Sequence, residues 1–402
     1  MSELNRLIEE FCSDGVETRH LWEVTIWDKK FNAVDRNKQN KVISYPYLLA
    51  AELFALEKEN GDVFLLSTGE QTGWTTEELA GDRLCVGEVV TIPWGKSRPV
   101  KDVMKYYNGK FITADNRIAT SNDTTVLLNK FLFYWMISRS DEIDTFYRGS
   151  GIKHPSMKEV LDMLIPLPPL EVQREIVRIL DNFTELTAEL TAELTAELTA
   201  RKKQYEYYRE SLLTFGEDVE YVKLSDVVKM SAGGDLPSNY SKGQKEPSEE
   251  YPYPIYSNGT GESALYGFTD SYKIEEEAVT ISARGTIGYH EVRAGKFTPI
   301  VRLITMIADE KRLTNKFLHY ALFVAGIEGV STGIPSLTVP MLEKFKIPLP
   351  SLEEQARIVA ILDKFNALTT DIGSGLPAEI EARRKQYEYY RDKLLSFKEK
   401  TI

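Results

Sequence analysis

IPLPPLEVQREIVRILDNF, residues 165–183, is written a second time as IPLPSLEEQARIVAILDKF, residues 347–365. Further on, ARKKQYEYYRESLLTF (200–215) returns as ARRKQYEYYRDKLLSF (382–397) at the same offset of 182 residues. Residues 165–215 share 30 identities in 51 ungapped positions with their copy, far beyond chance. Such self-similarity decides the architecture before any local reading does. The chain is one design used twice.

The duplication continues upstream in fainter form. Asn129-Lys130-Phe131-Leu132-Phe133-Tyr134 matches Asn315-Lys316-Phe317-Leu318-His319-Tyr320, and Gly151-Ile152 matches Gly333-Ile334. Gly109-Lys110-Phe111 echoes Gly295-Lys296-Phe297, Val90-Thr91-Ile92 echoes Val279-Thr280-Ile281, and Val16-Glu17 echoes Val219-Glu220. The offset drifts from 203 to 182, so the lobes differ in loop length while the helical parts stay in register. Short β-rich runs (62–66, 88–92, 278–282, 299–307), turn clusters such as Ser257-Asn258-Gly259 and helical stretches at 131–138 and 317–324 make each lobe mixed. Pro166, Pro168 and Pro169 end whatever precedes them, and a long helix is predicted from near Glu171. Ser351 and Glu354 have the spacing of a capping box at the corresponding start in the second copy. The expected fold is therefore α+β: two globular lobes separated by two long antiparallel helices, the halves related by a pseudo-twofold. Its boundaries fall at 1–163 for the first lobe, 164–215 for the central helix, 216–345 for the second lobe and 346–402 for the C-terminal helix.

Inside the central helix TAELTAELTAEL runs without imperfection from Thr187 to Leu198. On a helix a four-residue period winds slowly, so Leu186, Leu190, Leu194 and Leu198 form one apolar seam suited to a single partner helix, the duplicate being the obvious one. Glu185, Glu189, Glu193 and Glu197 form a like-charge row that repels phosphates and should face away from them. A flexible linker is the bland reading, but glycine, serine and proline are absent and helix formers dominate. The tract reads as a spacer in which each unit adds about 6 Å. Asp371 to Pro377 occupies the same register in the second copy and should break that helix.

Composition excludes several classes. The net charge is −12 over 402 residues, which taken globally argues against nucleic acid. Cys12 and Cys85 form no disulfide framework or metal spacing, the four histidines are scattered, and no window of about 18 apolar residues suits a bilayer. A cytoplasmic protein without membrane contact is expected. Neither a P-loop, an [ND]PP[YF] segment nor a glycine-rich cofactor fingerprint occurs, so no catalytic residue, metal ligand or cofactor site is assigned.

With P-L-P-x-L-E-x-Q and a long helix after each of two lobes, the chain resembles the specificity subunit of type I restriction-modification systems over essentially its whole length. Ile281-Ser282-Ala283-Arg284-Gly285-Thr286-Ile287-Gly288 and Tyr256-Ser257-Asn258-Gly259 are similar to segments common in that family, and the TAEL tract to its variable inter-lobe repeats. The resemblance implies a DNA-reading subunit without catalysis of its own. Each lobe would be a target recognition domain for half of an asymmetric, bipartite double-stranded site, and two methyltransferase subunits would dock to it. Motor-nuclease restriction subunits would join the larger complex, and S-adenosylmethionine, ATP and Mg would belong to those partners. The rival reading is a coiled-coil scaffold that binds two proteins and no DNA.

Local charge softens the global objection. Between Trp94 and Asn122 six basic residues stand against two acidic ones, and between Ile281 and Leu303 four stand against one. Both runs sit at corresponding places in the duplication. The candidate DNA-binding residues are Trp94, Lys96, Arg98, Lys101, Lys105 and Arg117 in the first lobe. In the second they are Ser257, Asn258, Ser282, Arg284, Thr286, His290, Arg293 and Lys296. Arg284 beside Gly285 leads, because a guanidinium can pair bidentately with guanine; a buried structural arginine is the other reading. Trp94 reads as packing rather than stacking. The identical segments QYEYYR nominate Tyr205, Tyr207, Tyr208 and Arg209, with Tyr387, Tyr389, Tyr390 and Arg391, as partner-binding residues. Packing into matching intramolecular cores is the competing account, and a mixture is expected.

Overall fold

The computed structural model describes residues 2–67, 69, 71–95, 98–114, 117–327, 336–370 and 375–400. They divide into two compact units, Met1–Ala192 with Glu381–Ile402, and Glu193–Ile380. Each unit thus combines one lobe with helical segments from both halves of the chain.

In the first unit, strands β1 (Thr25–Trp27), β2 (Val63–Leu66), β3 (Trp74–Thr75), β4 (Cys85–Thr91), β5 (Tyr106–Thr113) and β6 (Ile118–Ser121) form one sheet in the order β1-β6-β4-β5-β2-β3. Its first four strands pair antiparallel, and β5 with β2 parallel. In the second unit β7 (Val228–Ala232), β11 (Ala278–Ser282), β12 (His290–Arg293) and β14 (Leu303–Ala308) give the order β7-β14-β11-β12, antiparallel throughout. Strand for strand this repeats β1-β6-β4-β5. Beyond that shared ladder the lobes part: β8 (Tyr240–Lys242), β9 (Tyr253–Tyr256), β10 (Leu265–Thr269) and β13 (Thr298–Pro299) form a separate sheet in the second lobe. Here the sequence offset drifts, since loops can change length without disturbing a ladder fixed by its hydrogen bonds.

One helix packs on each shared ladder, Asn129–Ser138 and Asn315–Val324, burying Phe131 and Trp135 in one core and Phe317 and Leu318 in the other. Short antiparallel pairs, Thr18–His20 with Leu164–Pro166 and Tyr221–Lys223 with Lys346–Pro348, then deliver the chain to the long helices. A helix of 44 residues spans Leu170–Leu213, including the whole TAEL tract. Its glutamates 185, 189, 193 and 197 are exposed, and Glu197 reaches Arg201 at 3.3 Å. Leu190, Leu194 and Leu198 are half-buried, whereas Leu186 is 60% exposed, so the seam starts one repeat later than its period predicts. In the second half the helix stops at Thr370 and resumes at Leu376 with Pro377 in its first turn, where a missing N–H costs nothing. Residues 371–374 of the expected break, like Gly333-Ile334, lie outside the described residues.

Buried polar side chains explain the doubled motif. Gln173 is fully buried; its Oε1 accepts the Leu128 N–H at 2.9 Å, and its Nε2 donates to the carbonyls of Val126 and Pro168. Gln355 does the same with Thr314 N–H, Arg312 and Pro350. Each glutamine bolts the start of a long helix to the loop that leads into the lobe helix. Just over two turns later Asp181 accepts from Lys130 and from the Tyr134 hydroxyl at 2.6 Å, and Asp363 from Lys316 and Tyr320 at 2.7 Å. Asn129 and Asn315 complete the frame by accepting the Ser121 and Ala308 N–H groups.

The ends of the chain meet in the first unit. A short helix, Glu3–Phe11, is capped by the Ser2 hydroxyl and places Leu4 and Leu7 in the core that also holds Leu395. Val16 N–H donates to the Lys398 carbonyl at 2.8 Å, and Lys400 N–H returns to Val16 at 3.0 Å. Leu213 fills the place of Leu395 in the second core.

Candidate nucleic-acid interface

The loop after β11 and the β9–β10 hairpin cross in the second lobe. Asn258 sits at the crossing. Its Nδ2 donates to the Arg284 carbonyl at 2.6 Å, while its own carbonyl accepts from Thr286 at 2.6 Å and from Ser282 at 3.3 Å. Gly285 has φ +81°, a conformation that favours glycine, and a Cβ there would meet Asn258 Nδ2 at 2.9 Å and press on its hydrogen bond. Gly259 likewise lets the hairpin close on the Ser263 carbonyl. Ser257 hydrogen-bonds within the hairpin, to Ala264. The backbone is thus satisfied internally and the Arg284 side chain is left exposed. That geometry is what a base-edge or phosphate contact needs: a fixed stem with a free guanidinium. Lys296 is also exposed, with its ammonium 5.9 Å from the Tyr272 ring centre.

Several nominated residues belong to the interior instead. Ser282 is fully buried. Arg293 is buried, ion-paired with Glu291 at 2.8 Å and laid over the Tyr256 ring at 4.1 Å. His290 is buried with its Nδ1 3.0 Å from that of His319, and burial pushes the two imidazoles down to about 3 and about 4. Both histidines are neutral at physiological pH and wedged against Phe323. A basic residue on a strand of the shared ladder faces alternately in and out, and the local charge count could not say which.

In the first lobe the loop after β4 stands where the Arg284 loop stands in the second. Trp94 and Arg98 are exposed on it. Lys101 pairs with Glu388 at 2.7 Å, and Lys105 is spent on the carbonyl of Ser67 at 2.7 Å and that of Gly69. Arg117 is buried. These three are corrected from surface contacts to internal ones; Lys96 lies outside the described residues.

The QYEYYR segments hold both fates. Arg209 lies over Phe323 at 4.4 Å and Tyr205 at 5.5 Å, and Arg391 is buried over Tyr387. Tyr208 stacks on Phe365 at 5.3 Å, and Tyr390 meets Phe183 at 6.4 Å. Tyr207 and Tyr389 protrude, 68% and 61% exposed, each set edge-on at 72° to the next tyrosine. The buried glutamine and aspartate frame was missed as structure, although its signal lay in the motif itself: a glutamine at a fixed step after a proline turn in both copies.

Among the described residues no helix is long and apolar enough to cross a membrane, and no group of three or more His, Cys, Asp or Glu is placed to hold a metal ion. The profile described as "Type I restriction modification DNA specificity domain" matches residues 29–200 and again 216–382. S.MpnORF89P of Mycoplasma pneumoniae, named as a type I specificity subunit, is 36% identical over 77% of this chain and 94% of its own length. The EcoR124I/EcoR124II specificity subunit of Escherichia coli is 37% identical over 70% of this chain and 74% of its own. A chain from a structure described under complex assembly and conformational transition of the type I R-M system superposes with a TM-score of 0.62, covering 95% of this chain and 97% of that one, at 17% identity.

Proposed function

The chain belongs to the specificity subunits of type I restriction-modification systems, and on that premise we propose that it reads an asymmetric, bipartite double-stranded DNA site, one half with each lobe. What carries the reading is divergence at equivalent places. The four-stranded ladder and its polar frame repeat, while the loops after β4 and β11 present Trp94 and Arg98 in one lobe and Arg284 and Thr286 in the other. Two dissimilar readers give two dissimilar half-sites. The protruding Tyr207 and Tyr389, identical in setting, would dock two copies of one methyltransferase subunit, with motor-nuclease subunits added in the restriction complex. S-adenosylmethionine, ATP and Mg would be bound by those partners, and the chain itself would carry no catalysis.

The 44-residue helix then sets how many base pairs go unread. Removing Thr195–Leu198 shortens it by about 6 Å, less than two base-pair steps of about 3.4 Å. A methylation map of cells expressing the deletant with its partners should show the gap reduced by one or two pairs and both half-sites intact. Altered half-sites with an unchanged gap would refute the spacer role. A scaffold that never meets DNA would show no duplex affinity falling steeply with salt.

A further inference from the structure

Two large apolar side chains stand exposed close to one loop of the first lobe, the counterpart of the loop that carries Arg284 in the second. Trp94 is 42% exposed on the loop after β4, and Ile152 is 63% exposed at the tip of a hairpin whose arms pair Tyr147 with Pro155 and Arg148 with His154. The hairpin is fastened to the loop by two hydrogen bonds and approaches it closely at a third place. Buried Tyr147 donates its hydroxyl to the Pro93 carbonyl at 2.6 Å, and His154 Nδ1 donates to the Trp94 carbonyl at 2.8 Å. Gly95 lies so close that a Cβ would meet Ile152 Cγ2 at 2.6 Å. The His154 ring backs the indole at a centroid distance of 4.3 Å. Trp94 is therefore a surface seated on His154 near an exposed apolar side chain, with the exposed Lys153 on the same hairpin; Arg148, though exposed, is ion-paired with Glu159 at 2.6 Å. Apolar surface beside an exposed cation suits a groove whose walls are phosphates and whose floor carries a methyl group.

We propose that Trp94 and Ile152 read the 5-methyl edge of a thymine in the first half-site, making Trp94 the specificity-determining residue of a loop equivalent to the one that presents Arg284. This rests on the DNA-reading function proposed above and assigns a base chemistry to one lobe of it. A packing tryptophan would have been covered by its own chain, and a wedge that parts base pairs would need reach, whereas this indole is backed by His154 and held flush by the hairpin.

The test uses the full chain assembled with its methyltransferase subunits and duplexes carrying the methylation-mapped site. Each thymine of the first half-site is replaced in turn by deoxyuridine, which removes the methyl and keeps the pairing. One position should weaken binding about fourfold, the equivalent of one buried methyl, and in W94A that same replacement should make no difference. W94F, which keeps an aromatic seat on His154, should retain part of the discrimination and guards against a W94A that merely fails to assemble. A first half-site without an A·T pair, a wild-type complex indifferent to every replacement, or a W94A complex as sensitive as wild type would each overturn the proposal. R284A supplies the separating control. If it weakens second-half-site duplexes while Trp94 variants leave thymine recognition untouched, the base assignment falls alone; if neither variant nor half-site sequence matters, DNA reading falls with it.

Discussion

Gln173 and Gln355 make the same three hydrogen bonds with corresponding partners, while the loops after β4 and β11 differ in sequence. The contrast is physical. A buried amide with fixed partners tolerates no substitute, because every group left unpaired costs its full desolvation. A surface loop whose backbone is satisfied by one residue, as Asn258 satisfies the crossing, leaves its neighbours free to change. Constancy marks the frame and variation marks the loops proposed to read DNA.

The largest expected effect breaks or upholds the equality of the two frames. Q173A and Q355A each strip three hydrogen bonds from fully buried groups and should destabilise their own unit by about 3 kcal/mol apiece. Chemical denaturation with a tryptophan signal for the first unit and hydrogen exchange for the second would compare them. Unequal losses would mean that one glutamine only decorates a helix end.

A second effect should separate the units where the duplication failed. His319 stands where the first copy has Phe133, and it faces His290 inside the second core, with Asp363 and Arg209 nearby. Burial lowers both imidazole pKa values from 6.5, to about 4 and about 3, so the unfolded chain binds protons that the folded unit refuses. Stability is therefore complete near pH 7 and is lost as pH falls from about 6.5 toward 4, on the order of 2 kcal/mol per imidazole by pH 5. The second unit should unfold before the first on acidification, and H319F should remove much of that difference in a pH series of thermal melts. Equal acid sensitivity in H319F and wild type would assign the effect elsewhere.

How much of this was legible follows the same division. The repeat at offset 182 gave away the doubled architecture and the long helix, because helix-forming runs and a proline turn are local signals. The structure places Asn258 on the Arg284 carbonyl, a pairing unseen by the local charge count that nominated the arginine. That count misjudged Arg293, His290, Lys105 and Arg117, for which strand facing and turn closure, neither visible in a charge count, decide whether a cation is a contact or a bolt. Sequence alone favours packing for Trp94 while also nominating it for DNA, and the structure shows its ring against His154 with 42% of the residue exposed. The QYEYYR segments were read as mixed, and the helix periodicity sorts them: Arg209 and Arg391 turn inward, Tyr207 and Tyr389 outward.

The smallest effect concerns Lys101, whose ammonium is 2.7 Å from Glu388, between Tyr387 and the protruding Tyr389. Its copy in the other helix end, Glu206, is exposed, so only one of the two ends is tied to a lobe loop in this way. Both members of the pair are about one-third exposed, and a double-mutant cycle of K101A with E388A should return about 0.5 kcal/mol, E206A costing nothing measurable. An ammonium already held by a carboxylate gains little by exchanging it for a phosphate. K101A should therefore leave the slope of log affinity for DNA against log salt nearly unchanged, whereas loss of a phosphate contact would reduce it by about one. A full unit lost would show that Lys101 abandons Glu388 when DNA arrives. Then the two helix ends, identical in sequence, would respond differently to the same ligand, and the symmetry of the frame would hold only until the readers engage.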